Sequence, residues 1–460
     1  MRILGLIAAL ALLAAPAAAQ DQAAAPADQP VLWQVAGEVE ADRLHATVAR
    51  LVGFGTRHTM SDTRSNRRGI GAARRWVEGE FRSMARACGG CLEIALPAET
   101  VTGNRVTTPT EIVDVLAIQR GTSDPDRVII ISGHIDSRVN DVMDAISDAP
   151  GANDDGSGTA AVIEAARVLS KHRFAATLVY AVLSGEEQGL YGGGVLAHYA
   201  RDHNWRVEAD LNNDIIGNSQ GTSGVVDTTH VRVFSEGTRA VETQEEANRR
   251  RYNGGEVDSP SRNLARFMDG MAAQYLDNFD VVMVYRTDRF GRGGDQVRML
   301  EAGYPSVRVT EAAENYNRQH QSVRVENGVR YGDTIDGVDF TYLAQVTRLN
   351  VVSMAALASA PAPPSGVDIS GAVSADTVVR WAPAADAPRH RVWWRPTTDP
   401  QWRFSRWADE GDTITLQNVI IDDWFFGVSA VSADGFESPV VYPGVAGAFF
   451  PPPPAAAAAH

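Results

Sequence analysis

Two strand-like runs without polar alternation, Val128–Ser132 (VIIIS) and Thr177–Leu183 (TLVYAVL), constrain the fold of this chain more than any other feature. A strand wet on one face alternates apolar and polar residues, so a continuous apolar run needs both faces covered, as in the centre of a parallel sheet. The first run ends at Gly133-His134 and the second at Ser184-Gly185-Glu186-Glu187, with helix-like spacing from Gly158 to Lys171 between them. The same rhythm continues through a helix around Tyr191–His203, a strand over Ala209–Ile216, a late strand over Ser306–Val309 and a long helix from Phe340 to Ala358. Two amphipathic helices are expected upstream, over 36–52 and 67–86. The fold class is therefore α/β, a mostly parallel mixed sheet with helices on both faces and ligands gathered beyond the carboxyl ends of its strands. The stretch from Ser219 to Gly303 is irregular and rich in Arg, Asp and Gly, and reads as excursions that wall a site.

The ends of the chain have their own composition. Residues 1–19 carry Arg2, an apolar run and Ala17-Ala18-Ala19 before Gln20, the pattern of a secretory signal peptide. That run is shorter than the ~20 residues a membrane span needs, and no later segment supplies one. A flexible leader (20–34), an α/β domain (35–358) and a Pro-rich linker (359–366, with PAPPSG) are expected to follow. Beyond the linker come short alternating stretches such as TVVRW, HRVWW and TITL, holding six of the nine tryptophans. Over 367–449 they read as a small all-β sandwich cored by large aromatics, and the stretch from Phe426 to Ser438 resembles the penultimate strand and following turn of fibronectin type III domains. Residues 450–460 are expected to be disordered. The mature protein is expected to be periplasmic or secreted.

A formal net charge of −15 excludes nucleic acid as a natural partner, because phosphates would be repelled. The only cysteines, Cys88 and Cys91, are spaced Cys-Gly-Gly-Cys. A zinc site or redox pair is one reading, but zinc would need two further ligands nearby and none is present. After export, a short disulfide closing a turn is the expectation.

The chemistry sits at the strand ends. Sites that activate water on zinc draw on imidazole and carboxylate, and paired metals need a carboxylate between them. In Gly133-His134-Ile135-Asp136, His134 can bind metal while Asp136 receives its other ring N–H. In Gly151-Ala152-Asn153-Asp154-Asp155-Gly156, adjacent acids at a helix start offer both an N-cap and a bridging carboxylate. The sharpest signal is Glu186-Glu187 directly after an apolar strand, where desolvation penalises two neighbouring anions unless cations are near. One can ligate while the other acts as general base. Asp214 is an acid in an otherwise apolar strand, costly unless partnered. His320, of ten histidines, follows the late strand and is singled out by order as the missing fifth ligand.

With the motifs HID, GANDDGSG, SGEEQGLYG and NNDIIGN in this order, residues 35–358 resemble the co-catalytic dizinc aminopeptidases of metallopeptidase clan MH, which includes secreted bacterial leucyl aminopeptidases and glutamate carboxypeptidases. The resemblance implies a zinc exopeptidase fold, two Zn²⁺ ions and peptide substrates. It places one zinc on His134 and Asp214, the other on Glu187 and His320, with Asp154 bridging. It makes Glu186 the general base and Asp136 the residue that fixes the tautomer of His134. It also implies a cis peptide between Asp154 and Asp155. Many members carry Tyr-His-Thr at the last ligand, whereas here three residues separate Tyr316 from His320; Tyr316 is the candidate for stabilising the tetrahedral intermediate. Where others have Ser-Asp-His, this chain has Gly294-Asp295-Gln296.

The expected activity is a secreted zinc aminopeptidase. A carboxypeptidase or dipeptidase of the same clan is the alternative, kept open by Arg286, Arg289 and Arg292. Glutaminyl cyclases share the fold with one zinc, and a catalytically inactive binding or adhesion protein is the reading from a different class; the complete ligand set with Glu186 speaks against both.

Overall fold

A computed structural model describes residue 23 and residues 27–451, except 385, 409 and 410. The signal-peptide expectation over 1–19 and most of the expected disordered tail lie outside the described residues. The chain opens with α1 (Pro30–Gly37), α2 (Ala41–Val52) and α3 (Ile70–Ala87), then β1 (Glu93–Ala95), a hairpin of β2 (Ala98–Gly103) and β3 (Val106–Val113), and β4 (Val115–Gln119). Next come β5 (Asp124–His134), α4 (Gly156–Leu169), β6 (Ala176–Leu183), the single turn α5 (Glu186–Gly189), α6 (Tyr191–Asp202) and β7 (Arg206–Asn213). The irregular region contributes β8 (His230–Phe234), α7 (Gln244–Asn253), α8 (Pro260–Tyr275), β9 (Asp280–Val284) and α9 (Gln296–Glu301). β10 (Ser306–Glu311), a hairpin of β11 (Arg324–Glu326) and β12 (Val329–Tyr331), and α10 (Phe340–Ser359) follow.

Eight of these strands form one mixed sheet in the order β1-β4-β6-β5-β7-β10-β8-β9. β6, β5, β7 and β10 run parallel to one another at its centre. The apolar runs are explained by burial on both faces. Ile129 and Ile131 of β5 pack into the core shared with α4 and α10, whereas Val128 and Ile130 face the opposite core with Leu196 and Ala197 of α6 and Met299 of α9. Burying such a side chain fully stabilises the fold by roughly 1.5–3 kcal/mol.

Three local expectations differ from the fold. The leader ends at Pro30, not 34, because α1 buries Leu32, Val35 and Ala36 in the main core, and Pro30 suits the first position of a helix. The single helix over 36–52 is divided, since Glu38 O accepts from Arg167 and Glu40 N donates to Glu164, both on α4, instead of continuing the helical ladder. The strand carrying Asp214 stops at Asn213, which leaves the acid just past the strand end.

After α10, β13 (Ser365–Ser370), β14 (Thr377–Ala382), β15 (Arg389–Pro396), β16 (Phe404–Ala408), β17 (Thr413–Leu416) and β18 (Trp424–Val431) make two antiparallel three-stranded sheets, β13-β14-β17 and β16-β15-β18. They share one core containing Trp381, Trp394, Phe404 and Phe426. This unit is tied to α8 through Asp258, which meets Arg395 at 2.7 Å and Arg266 at 2.8 Å with all three side chains buried. Cys88 and Cys91 form a disulfide at the end of α3. Among the described residues no helix is long and apolar enough to cross a membrane.

Candidate active site

The carboxyl ends of the four central parallel strands bring the chemistry-bearing residues together. His134 is the last residue of β5, Glu186 and Glu187 open α5 directly after β6, Asp214 follows β7, and Asp154 precedes the N-cap of α4. His320 comes from the loop after β10, in a left-handed backbone conformation with φ of 55°. His134 Nε2 lies 3.4 Å from Asp154 Oδ1 and 3.8 Å from Asp214 Oδ1. His320 Nε2 lies 2.9 Å from Asp154 Oδ2 and 3.2 Å from Glu187 Oε2. Two sets of donor atoms result, His134/Asp154/Asp214 and Asp154/Glu187/His320, each with its atoms within 4.8 Å of one another. Asp154 belongs to both.

These residues fit metal ions on a second ground. His134 Nε2 and Glu187 Oε1 are buried and make no hydrogen bond, and Asp154 Oδ2 meets only the His320 ring. Buried polar atoms left unpaired are costly, so such atoms gathered at one place call for a cation.

The supporting residues explain why the chain folds this way locally. Asp155 caps α4 by accepting from Gly158 N at 2.9 Å, and also accepts from His134 N and Ile215 N. It joins the ends of β5 and β7 to the start of α4. Gly158 is required there, since a Cβ would lie 2.3 Å from the Asp155 carboxylate and 2.4 Å from Asn213 O. The Asp154–Asp155 peptide is cis. Asp333 accepts from the backbone nitrogens of Asn153 and Asp154, and Arg57 binds the carbonyls of Ile135, Pro150 and Gly151. Asp136 accepts from the backbone of Gly185, Glu186 and Glu187 and from Thr59 Oγ1. That places its negative charge at the amino end of α5, where the unpaired N–H groups point.

Charge at the site is strongly coupled. Burial works against an ionised Asp154, but His320 and His134 outweigh it and hold its carboxyl well below the usual range. Burial likewise opposes ionisation of Asp214; Arg308 and His134 overcome it. Burial also opposes protonation of His320, while Glu187 and Asp154 lift it to about 10. Glu186 has its carboxyl pushed well up by burial, with His134 opposing and the negative charges of Asp214, Glu187 and Asp295 adding to the rise. A raised carboxyl pKa is what a proton-transferring glutamate needs.

Not every residue singled out in the sequence arrives as expected. Tyr316 is 58% exposed and is not among the residues lining the cavity, because the loop before His320 turns it outward. The Asp136 carboxylate is 3.5 Å from His134 Nδ1, while the Asp136 backbone oxygen is closer, at 3.1 Å. The ring nitrogen is thus served chiefly by main chain, and the carboxylate serves the Glu186-Glu187 turn. Arg289 and Arg292 reach the cavity wall, whereas Arg286 instead stacks on Phe290. Several buried or half-buried residues were missed. Arg308 donates to the carboxylate and backbone of Asp214, and Arg138 binds Glu187 Oε2 at 2.7 Å and contacts His320 Nδ1. Arg308 carried a legible signal, a charge inside a strand otherwise read as buried; Arg138, Arg57 and Asp333 lie in loops and carried none.

The cavity above these carboxylates measures about 370 Å³. Imidazole and carboxylate donors gathered at the carboxyl edge of such a sheet fit a metal-dependent enzyme, and comparison with known proteins makes that class a metallopeptidase. Residues 114–323 match the sequence profile of peptidase family M28. A probable zinc metalloprotease of Leptosphaeria maculans is 42% identical over 422 residues, spanning 91% of this chain and 98% of the relative. Another, from Pyricularia oryzae, is 43% identical over 418 residues, spanning 88% of this chain and 83% of its own. The crystal structure of the Legionella pneumophila LapA aminopeptidase superposes with a TM-score of 0.52 at 18% identity, over 72% of this chain and 75% of that one, a likeness of fold. The chain belongs to peptidase family M28, and is a zinc metallopeptidase acting on peptides.

Proposed function

We propose that the protein is a secreted dizinc exopeptidase that removes residues from the amino end of peptides. One zinc would be held by His134 and Asp214 and the other by Glu187 and His320, with Asp154 between them. The observation that carries this reading is the membership of Asp154 in both donor sets, one oxygen facing each histidine. A bound zinc pair supplies polarisation of the scissile carbonyl and a water of lowered pKa. Glu186 lines the same cavity but belongs to neither donor set. It takes the proton of the attacking water and returns it to the leaving amine. Asp136 holds Glu186 in position through the α5 main chain.

Attack at the carboxyl end is a second reading, favoured by Arg289 and Arg292 on the cavity wall. Export rests on the signal-like residues 1–19 and is supported by the Cys88–Cys91 disulfide, since such bonds persist in oxidising compartments. We read the C-terminal sheets as a fibronectin type III-like brace on α8, in keeping with the buried Asp258 contacts.

The test is hydrolysis of one tripeptide with both ends free, with its amino end acetylated and with its carboxyl end amidated, before and after chelation, alongside zinc content per chain. Loss of cleavage on acetylation alone, chelator sensitivity and two zincs are expected. Cleavage within long, doubly blocked peptides would overturn the reading.

A further inference from the structure

We infer that the cleft between α3 and β3 is a second, non-catalytic binding site, which takes a carboxylate carrying an apolar group. The cleft measures about 500 Å³ and shares no lining residue with the cavity above the candidate zinc ligands. A volume of that size suits a small-molecule site. The inference does not depend on which end of a peptide the enzyme attacks.

Arg74 of α3 is the buried charge of this cleft, only 8% exposed, whereas Arg75 and Glu111 are exposed and Glu78 is half-buried. Its Nε donates to Ser184 Oγ at 3.1 Å and its Nη1 to the Glu111 backbone oxygen at 3.5 Å. Its Nη2 is buried and has no hydrogen-bond partner. No carboxylate stands at ion-pair distance from it among the described residues. A buried guanidinium without a counter-charge is costly, yet the fold keeps this one beside a cleft.

The neighbouring charges do not supply that partner. Burial draws the Arg74 pKa down, and Asp114, Asp136 and Glu111 offset only part of the effect. Asp136 is engaged by the backbone N–H groups of Gly185, Glu186 and Glu187 and by Thr59. The Asp114 carboxyl is itself pushed well up by burial, with Asp295 adding to the rise. Glu78 is paired with Arg82 at 2.7 Å, and Arg75 binds the carbonyls of Thr63 and Ser65. A ligand carboxylate fits the unpaired Nη2, because guanidinium binds carboxylates through parallel N–H donors. The rest of the lining sets the other end of the ligand. Met60, Leu96, Pro109, Val113 and Val115 supply apolar surface, with Leu96 42% exposed. An apolar group attached to the carboxylate removes that surface from water.

The zinc-loaded full chain should be titrated calorimetrically with isocaproate, isocaproamide and inorganic phosphate. Saturable binding of isocaproate is expected, with a Kd below ~1 mM. The amide, which lacks the charge, and phosphate, which lacks the apolar group, should each bind at least ~10-fold more weakly. Arg74→Met should lose at least ~10-fold in affinity for isocaproate. That substitution replaces a buried charge by an apolar chain of similar length, a change that is often neutral for stability, and Ser184 Oγ keeps its bond to Val113 O at 2.7 Å. Thr108→Trp, at an exposed position of β3 lining the cleft, fills it and gives the same test should Arg74→Met fail to fold. Arg292→Ala, in the catalytic cavity, should leave the affinity unchanged. Equal binding of the amide or of phosphate, affinity undiminished by the cleft substitutions, or loss of binding in Arg292→Ala would overturn the inference.

Discussion

The Asp136 carboxylate accepts the backbone N–H of Glu186 at 3.2 Å, so the residue two places beyond one candidate zinc ligand fixes the proposed general base through its main chain. The same carboxylate takes the N–H groups of Gly185 and Glu187. Replacing Asp136 with Asn presents an amide N–H toward backbone donors and loses the charge at the start of α5. Activity or zinc affinity should fall by about 10–100-fold, the usual worth of an outer-shell partner. Kinetics with metal analysis checks this, and an Asn variant with full activity and zinc would remove Asp136 from that role.

If Glu186 is the proposed general base, its replacement should separate chemistry from metal binding. Glu186→Gln should keep its zinc and lose roughly 10²–10⁴-fold in kcat, the range for a positioned general base. Zinc content and kcat measured on the same preparation decide the point; an active variant would give the proton transfer to another group.

Asp154 should behave in the opposite way. It contributes to both donor sets, so Asp154→Ala should lower zinc content and activity together. A variant that retains two zincs would show that the bridge lies elsewhere.

The sequence was most informative where two independent constraints met at one residue. The β5 and β6 runs require burial on both faces, and His134 and Glu186-Glu187 fall where those runs stop, so the sheet and its reactive edge were legible together. Asp214 was found because a charge in an apolar run is costly, and Arg308, its partner on the neighbouring strand, could have been found by the same argument. Arg57, Arg138 and Asp333 could not. In sequence they look like solvated loop charges, and only the fold shows them binding the main chain or side chains of the ligand-bearing loops. Tyr316 illustrates the reverse failure, since spacing gives its distance along the chain from His320 but not the turn that exposes it.

The β-rich C-terminal unit should depend on the peptidase part for its stability and the reverse. Asp258 is fully buried between Arg266 and Arg395, and Arg395 comes from β15. Removing the acid with Asp258→Ala leaves two buried guanidiniums without their counter-charge, which costs about 3–5 kcal/mol. Denaturation in urea should show that loss while the zinc content of the folded fraction is unchanged. A shift below 1 kcal/mol would mean that the guanidiniums find other partners.

Asp210 gives the fold a pH dependence distinct from catalysis. It is buried on β7, its carboxylate accepts from Ser132 Oγ at 2.7 Å and Ser306 Oγ at 2.6 Å, and burial nonetheless raises its pKa to about 6. The folded state therefore holds the proton more tightly than the unfolded chain, whose aspartate titrates near ~3.9. The penalty for burying the ionised form is absent below about pH 4, grows as the pH rises through that of the folded group, and is complete above about pH 7. Two pKa units correspond to roughly 3 kcal/mol. Asp210→Asn should remove this term, so that the variant loses less stability than the parent between pH 4 and 7.5. Urea midpoints across that range provide the measurement, and parallel curves for the two proteins would show that Asp210 ionises in the fold without penalty.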